Sequence, residues 1–190
     1  MFLVTELVTL LATNLILTQA LGTSTLFIAA GNRKNLLWTA ITITVFTSVG
    51  SGAAYTINRI LPHSAADLTL LFYTLIIGAI YVLFLAVLYY TDFASFATAR
   101  KYVHISAFNC AVMGTLFTIT ERAEAYPELN TFIRFVLSGA EAGTGFILAA
   151  FILTAAYRKL NSAKVPASFR GFPAMLVYLG LISMAVYALR

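Results

Sequence analysis

The chain has 190 residues, of which 61% are hydrophobic and 10% charged, and its formal net charge is +5. A soluble globular domain carries about 25% charged residues, so this composition, with a mean hydropathy of +0.90, excludes that class and indicates an integral membrane protein. The positive charge does not indicate nucleic-acid binding, because the basic residues lie in short stretches between apolar runs. A single cysteine excludes an intrachain disulfide.

Six hydrophobic segments of roughly the 17–25 residues that a membrane helix requires follow one another along the chain. They predict an all-α membrane protein of one domain, residues 1–190, whose sequential helices pack antiparallel because the loops are short. The first segment lacks the basic start of a signal peptide, so we expect it to be retained. The segments are Phe2 to Ala20 with a continuation to Ala30, Leu36 to Ile57, Leu68 to Tyr90, Val103 to Thr120, Thr131 to Tyr157 and Phe172 to Leu189.

The first and fourth segments contain polar residues where hydrocarbon offers no hydrogen-bonding partner. The fourth carries Asn109 and Cys110 side by side, and the first is interrupted by Thr13-Asn14, Gln19 and Gly22-Thr23-Ser24-Thr25. Interrupted helices at matching places predict two inverted three-helix repeats, approximately residues 1–95 and 96–190, with a site at the bilayer midplane. The alternative is two ordinary helices whose polar side chains bond to neighbouring backbones.

The distribution of lysine and arginine predicts the orientation of the helices. Basic residues mark cytoplasmic loops, so the first, third and fifth loops are expected in the cytoplasm and both termini outside. These loops carry Arg33, Lys34, Arg100, Lys101, Arg158, Lys159, Lys164 and Arg170, whereas the remaining loops and the C-terminus carry Arg59, Arg122 and Arg190. The acidic loop with Glu121, Glu124 and Glu128 is then also outside.

Glu141 lies near the centre of the fifth segment, where an unpaired carboxylate is costly. It is either an ion or proton relay or a contact with another helix or subunit, and Arg134 lies seven residues earlier on the same face. The small-residue spacing of Gly139 and Gly143 predicts a close helix contact, within the chain or between subunits. His63 and His104 lack metal-ligand spacing, so we expect them to be interfacial residues.

Several motifs resemble those of one known family. NCAVMG at 109–114 and KVPASFRG at 164–171 are similar to the six-helix membrane subunits of Rnf and Na+-translocating NADH:quinone reductase complexes. This family includes the A subunit of the Rnf (Rsx) electron transport complex and the E subunit of the quinone reductase. The stretches TNLILTQALG at 13–22 and SGAEAGTGFILAAFILTAAYRKL at 138–160 extend the resemblance over nearly the whole chain.

The resemblance implies a membrane subunit of an ion-translocating electron transport complex in a prokaryotic plasma membrane. In that family two homologous, oppositely oriented subunits hold a [2Fe-2S] cluster between cysteines of their interrupted helices. It relays electrons across the bilayer. Cys110 matches one ligand, and Asn109, Asn14 and Gly22 would line the site. The chain would be an electron-relay subunit without catalytic residues, since it has no nucleotide-binding glycine loop and no hydrolase triad.

The chain departs from the family at the second ligand. Ser24 stands where the family has a cysteine in its first helix, and a hydroxyl is a hard, weakly acidic ligand for iron. The cluster could be bound through an altered ligand set or be absent, which would leave a scaffold subunit. A small transporter or ion-conducting protein with a midplane site is the alternative from another functional class.

Overall fold

The computed structural model describes residues 14–30, 33–61, 68–91 and 96–188. Within these ranges the regular structure is helical, apart from turns and loops, and no strand is formed. The helices are α1 (Leu15–Gln19), α2 (Thr23–Ala30), α3 (Arg33–Ile60), α4 (Thr69–Thr91), α5 (Phe96–Ala107), α6 (Cys110–Ala125), α7 (Phe132–Leu160) and α8 (Phe172–Tyr187), with a 3-10 turn at Pro127–Leu129.

Three helices in the described part, α3, α4 and α7, are long and apolar enough to cross a membrane. The bent pair Arg100–Ala107 and Cys110–Ala125 adds a fourth span if the two helices are counted together, and α8 is a shorter apolar helix. The sequence-predicted second, third and fifth segments are confirmed as helices, with ends that differ by at most three residues. The protein is therefore an all-helical membrane protein.

The first and fourth segments are both broken. In the first, α1 and α2 are separated by Ala20, Leu21 and Gly22, and Ala20 adopts the left-handed conformation. In the fourth, α5 and α6 meet at Phe108 and Asn109 with a bend of 43°. Residues 1–13 of the first segment, with Glu6, lie outside the described residues.

Helix α6 extends beyond the sequence-predicted end of the fourth segment at Thr120. It continues to Ala125, so Glu121, Arg122 and Glu124 lie on its last two turns and not in a loop. These charged side chains are compatible with a helix end because the last turns of a membrane helix can reach the headgroup region. This extension places Arg122 on a helix and not in a loop.

The most extensive helix contact joins α3 and α7. A Cβ atom added to Gly143 would lie 2.6 Å from the Cα atom of Thr44, and one added to Gly139 would lie 2.5 Å from the carbonyl oxygen of Thr47. Small residues permit this close backbone approach, which is a main source of stability between helices in lipid. The small-residue motif therefore serves a contact inside the chain.

A closed ring of three hydrogen bonds joins α3, α4 and α6. The Tyr73 hydroxyl donates to Asn58 Oδ1 at 2.8 Å, and Asn58 Nδ2 donates to Thr120 Oγ1 at 3.0 Å. The hydroxyls of Thr120 and Tyr73 are 2.6 Å apart, so Thr120 donates to Tyr73 and each side chain gives one hydrogen bond and accepts one. Tyr73 is fully buried, and the ring satisfies its polar end inside the bundle.

We predict that Gly143→Ala destabilises the protein by about 2 kcal/mol, because the added methyl group collides with the α3 backbone and forces the helices apart. Thermal unfolding in detergent, followed by circular dichroism, measures the change. Gly78→Ala is the matched control, since a Cβ atom at Gly78 has no neighbour within 4 Å. Equal melting temperatures for the two variants would contradict the close contact.

Candidate functional site

The two helix breaks meet at Cys110. The backbone N–H of Gly22, which precedes α2, donates a hydrogen bond to Cys110 Sγ at 3.0 Å. Residues 22 and 110 are 88 positions apart in sequence. The interruption of the first segment is thus fixed against the first residue of α6. A donated N–H favours a sulfur atom that carries negative charge, so this contact suits a thiolate or a metal-bound sulfur.

Gly22 is required at this crossing by its conformation and by its surroundings. Its φ angle is +81°, in a region that residues with a side chain rarely adopt. A Cβ atom would also lie 2.9 Å from the Cβ atom of Ala111 and 3.2 Å from Asn109 Oδ1. The backbone can therefore approach Cys110 only because residue 22 has no side chain.

Asn14 anchors the start of α1. Its Oδ1 accepts hydrogen bonds from the backbone N–H groups of Ile16 and Leu17, which caps the helix. Its Nδ2 donates to the carbonyl oxygen of Gly145 in α7 at 2.7 Å. The side chain is 4% exposed, so both halves of the amide are satisfied by protein inside the bundle.

Asn109 plays the corresponding part at α6, with one difference. Its Oδ1 accepts from the backbone N–H of Ala111 at 3.0 Å and caps the helix that Cys110 begins. Its Nδ2 is buried and has no hydrogen-bond partner among the described residues. Asn109, which is predicted to bind a cofactor, therefore caps a helix through its oxygen, and its amide nitrogen forms no hydrogen bond among the described residues.

Cys110 and Ser24 are both exposed on the isolated chain, and Ser24 lies in the first turn of α2, two residues after Gly22. Their side chains are the thiol and hydroxyl at the two positions where the family resemblance implies ligands. Within the described ranges no three His, Cys, Asp or Glu side chains come together as a metal-binding group.

Glu141 lines a small cavity, and Cys110 is not among the residues that line it. The cavity is about 40 Å³ in volume, and its lining residues are Asn14, Leu15, Thr115, Thr118, Ile119, Arg122, Glu141 and Ala142. The sequence indicates Arg134 as a possible partner of Glu141, but the cationic side chain that shares this cavity is Arg122. The spacing of Thr115, Thr118 and Arg122 places them on one face of α6, but no local pattern in the sequence pairs that face with Glu141.

His104 lies within α5 and is paired with a tyrosine. Its Nδ1 is 2.5 Å from the hydroxyl of Tyr81 in α4, and the two rings are 5.3 Å apart. The sequence predicts an interfacial histidine and names no partner for it. In the structure its partner is Tyr81 of the neighbouring helix α4. His63 lies outside the described residues.

The sequence model of the Rnf-Nqr family, described as "Rnf-Nqr subunit, membrane protein", matches residues 3–190 of the chain. Two similar proteins are each named as the A subunit of an ion-translocating oxidoreductase complex. The one from Shewanella piezotolerans is 28% identical and that from Aeromonas hydrophila is 25% identical, and each alignment covers 93% of this chain and 90% of the relative. The A subunit of the Na(+)-translocating ferredoxin:NAD(+) oxidoreductase complex of Acetobacterium woodii is 24% identical, over 90% of this chain and 88% of the relative.

We predict that Asn14→Ala lowers stability by about 2 kcal/mol, and more than Asn109→Ala does. The first variant removes a helix cap and also leaves the carbonyl of Gly145 without its partner. The second removes a cap together with an amide nitrogen that has no partner among the described residues. Thermal unfolding of both variants in one detergent measures the difference. An Asn109→Ala variant less stable than Asn14→Ala would contradict this assignment.

Proposed function

Because the chain belongs to the Rnf-Nqr family of membrane subunits, we propose that it relays electrons within an ion-translocating oxidoreductase complex. Its relatives are named as the A subunits of such complexes, which makes other subunits its partners. The observation that carries the proposal is the crossing of two broken segments at Cys110, whose sulfur accepts a backbone N–H and is exposed on the surface of the chain.

The proposed architecture has six membrane helices in two inverted three-helix repeats, approximately residues 1–95 and 96–190. In this arrangement α1 and α2 form the broken first helix, and α5 and α6 form the broken fourth helix. The asparagine caps at Asn14 and Asn109 support this equivalence, because each begins a helix within a broken segment. The charge distribution supports cytoplasmic odd loops and outward-facing termini in a prokaryotic plasma membrane.

The residues at the crossing fit one edge of a [2Fe-2S] cluster shared with a homologous subunit of opposite orientation. Cys110 is an exposed free cysteine that a second chain can reach, and its sulfur is the kind of ligand that iron requires. Ser24, exposed in the first turn of α2, offers a hydroxyl at the second position. When bound, such a cluster supplies one-electron transfer.

The chain's own residues prepare the sulfur for this task. Gly22 directs its N–H at Cys110 Sγ and so stabilises negative charge on the sulfur. Asn109 fixes the first turn of α6 and thereby the direction of the Cys110 side chain. Asn14 binds the start of α1 to α7. The turn that carries Gly22 therefore lies between two fixed points, Asn14 and the contact with Cys110.

A second candidate function is transport without a metal. An open groove of about 400 Å³ lies between the break in the first segment and α8, with Gln19, Thr18, Thr23 and Ser183 among its lining residues. Polar groups beside a broken membrane helix are the features that bind substrates or ions in transporters. Under this hypothesis Cys110 is an inert thiol. A scaffold subunit without a cluster is the third candidate, and Ser24 is the residue that favours it.

Iron and acid-labile sulfide analysis of the purified complex, with electron paramagnetic resonance of the reduced sample, tests the proposal. We predict that Cys110→Ala removes the cluster signal, because the chain then offers no thiolate. Ser24→Cys should raise iron retention several-fold, and Ser24→Ala should lower it. The matched control is Ser162→Ala, a substitution in the loop after α7, which should leave iron unchanged. Background iron in the unmodified complex would contradict the cluster, and retained ion transport in Cys110→Ala would favour a transporter.

A further inference from the structure

Glu141 and Arg122 are two charged residues that line the same cavity. Glu141 lies nine residues after Phe132, which at 1.5 Å per residue places it about 14 Å along a helix of about 44 Å. A hydrocarbon layer of about 30 Å centred on α7 begins about 7 Å from Phe132, so the carboxylate lies inside it. A carboxylate at this depth marks an ion or proton path more often than a structural contact.

The cavity has a mainly apolar lining with several polar side chains, and it is large enough for a small guest. Its volume of about 40 Å³ exceeds the ~15 Å³ that one water molecule needs. The Thr115 hydroxyl donates to the carbonyl of Ala111, which leaves its oxygen lone pairs available toward a cation. The cavity therefore combines a carboxylate with hydroxyl oxygens and room for water.

Asn14, which also lines the cavity, forms its hydrogen bonds with other groups and not with Glu141. Its Oδ1 accepts from Ile16 and Leu17, and one of its two Nδ2 hydrogens is donated to Gly145, so one amide hydrogen remains. Arg122, from α6, is the charged side chain that lines the cavity together with Glu141, and Arg134 lies two turns away on α7 itself. The α3 residues that meet α7 near this level, Thr44 and Thr47, are uncharged.

We propose that this cavity binds a monovalent cation, H+ or Na+, at the Glu141 carboxylate, and that Arg122 competes with the cation for it. A guanidinium beside the carboxylate keeps the empty site neutral, which reduces the cost of a charge inside the membrane. The same guanidinium repels a bound cation and so promotes its release. The role of this exchange in ion movement rests on the proposed function, whereas the binding itself does not.

The test uses the full chain in lipid nanodiscs and the hydrophobic reagent dicyclohexylcarbodiimide. The reagent adds to a protonated carboxyl group in an apolar setting: an oxygen–carbon bond forms, and the carboxyl proton moves to a reagent nitrogen. Mass spectrometry then identifies the modified residue. Glu141 is exposed on the isolated chain, as Glu121, Glu124 and Glu128 are, but it lies within the span of α7, whereas the other three lie at the end of α6 and in the turn after it; we therefore predict labelling of Glu141 and not of these three.

Variants of Arg122 and Arg134 test whether Arg122 competes with the cation for Glu141 or whether the loss of any nearby positive charge has the same effect. Arg122→Gln should raise the labelling of Glu141 several-fold, because the competing cation is gone, and Arg122→Lys should restore the original extent. Arg134→Gln is the matched control and should leave labelling unchanged, since Arg134 does not line the cavity. Equal effects of Arg122→Gln and Arg134→Gln, in variants with unchanged helical circular dichroism, would overturn the role of Arg122.

Exchange of choline chloride for NaCl at constant ionic strength distinguishes the two cations. Protection of Glu141 by Na+ identifies a sodium site, and labelling that Na+ leaves unchanged identifies a proton site. Failure to label Glu141 in both the unmodified chain and Arg122→Gln would overturn the proposal. The experiment needs neither iron nor a second protein chain, so its failure is distinguishable from failure of the proposed cluster.

Discussion

The hydrogen bond from Gly22 to Cys110 is the contact on which the arrangement of the functional site depends. A helix that breaks inside hydrocarbon leaves backbone groups without partners, and each must be satisfied by protein. Here one of these groups is satisfied by the other break, because the Gly22 N–H, just before α2, donates to the sulfur of Cys110, the first residue of α6. The geometry requires Gly22, because only glycine combines this backbone conformation with such a close approach.

The crossing is held by the rest of the bundle. Helices α3 and α7 approach so closely at Gly139 and Gly143 that they form a rigid central pair. Asn14 fastens the first broken segment to the carbonyl of Gly145, next to that contact on α7. The Ser183 hydroxyl of α8 donates to the carbonyl of Leu17 and adds a second tie. The broken segments are therefore irregular in conformation but fixed in position.

Much of this architecture could be predicted from sequence, because local composition determines it. Apolar length sets the ends of α3, α4 and α7 to within three residues, and Gly22 and Asn109 mark the breaks. The partners across the bundle could not be predicted. The ring of Tyr73, Asn58 and Thr120 and the shared cavity of Arg122 and Glu141 join residues far apart in the chain, which no local pattern reveals. The sequence places Arg122 in a loop only because the apolar run ends two residues earlier.

Helix α6 connects the two proposed sites. Cys110 is its first residue and Arg122 lies twelve residues later, about 18 Å away at 1.5 Å per residue. A unit charge at Cys110 changes the energy of a unit charge at that distance by about 1 kcal/mol for an effective dielectric constant of about 20. Negative charge gained at the proposed cluster site would attract both the cation and the Arg122 guanidinium that competes with it, so the coupling is the difference between the two attractions and stays below roughly fivefold in affinity. Under the two proposals, electrostatics along α6 is therefore a weak link between an electron at one site and a cation at the other.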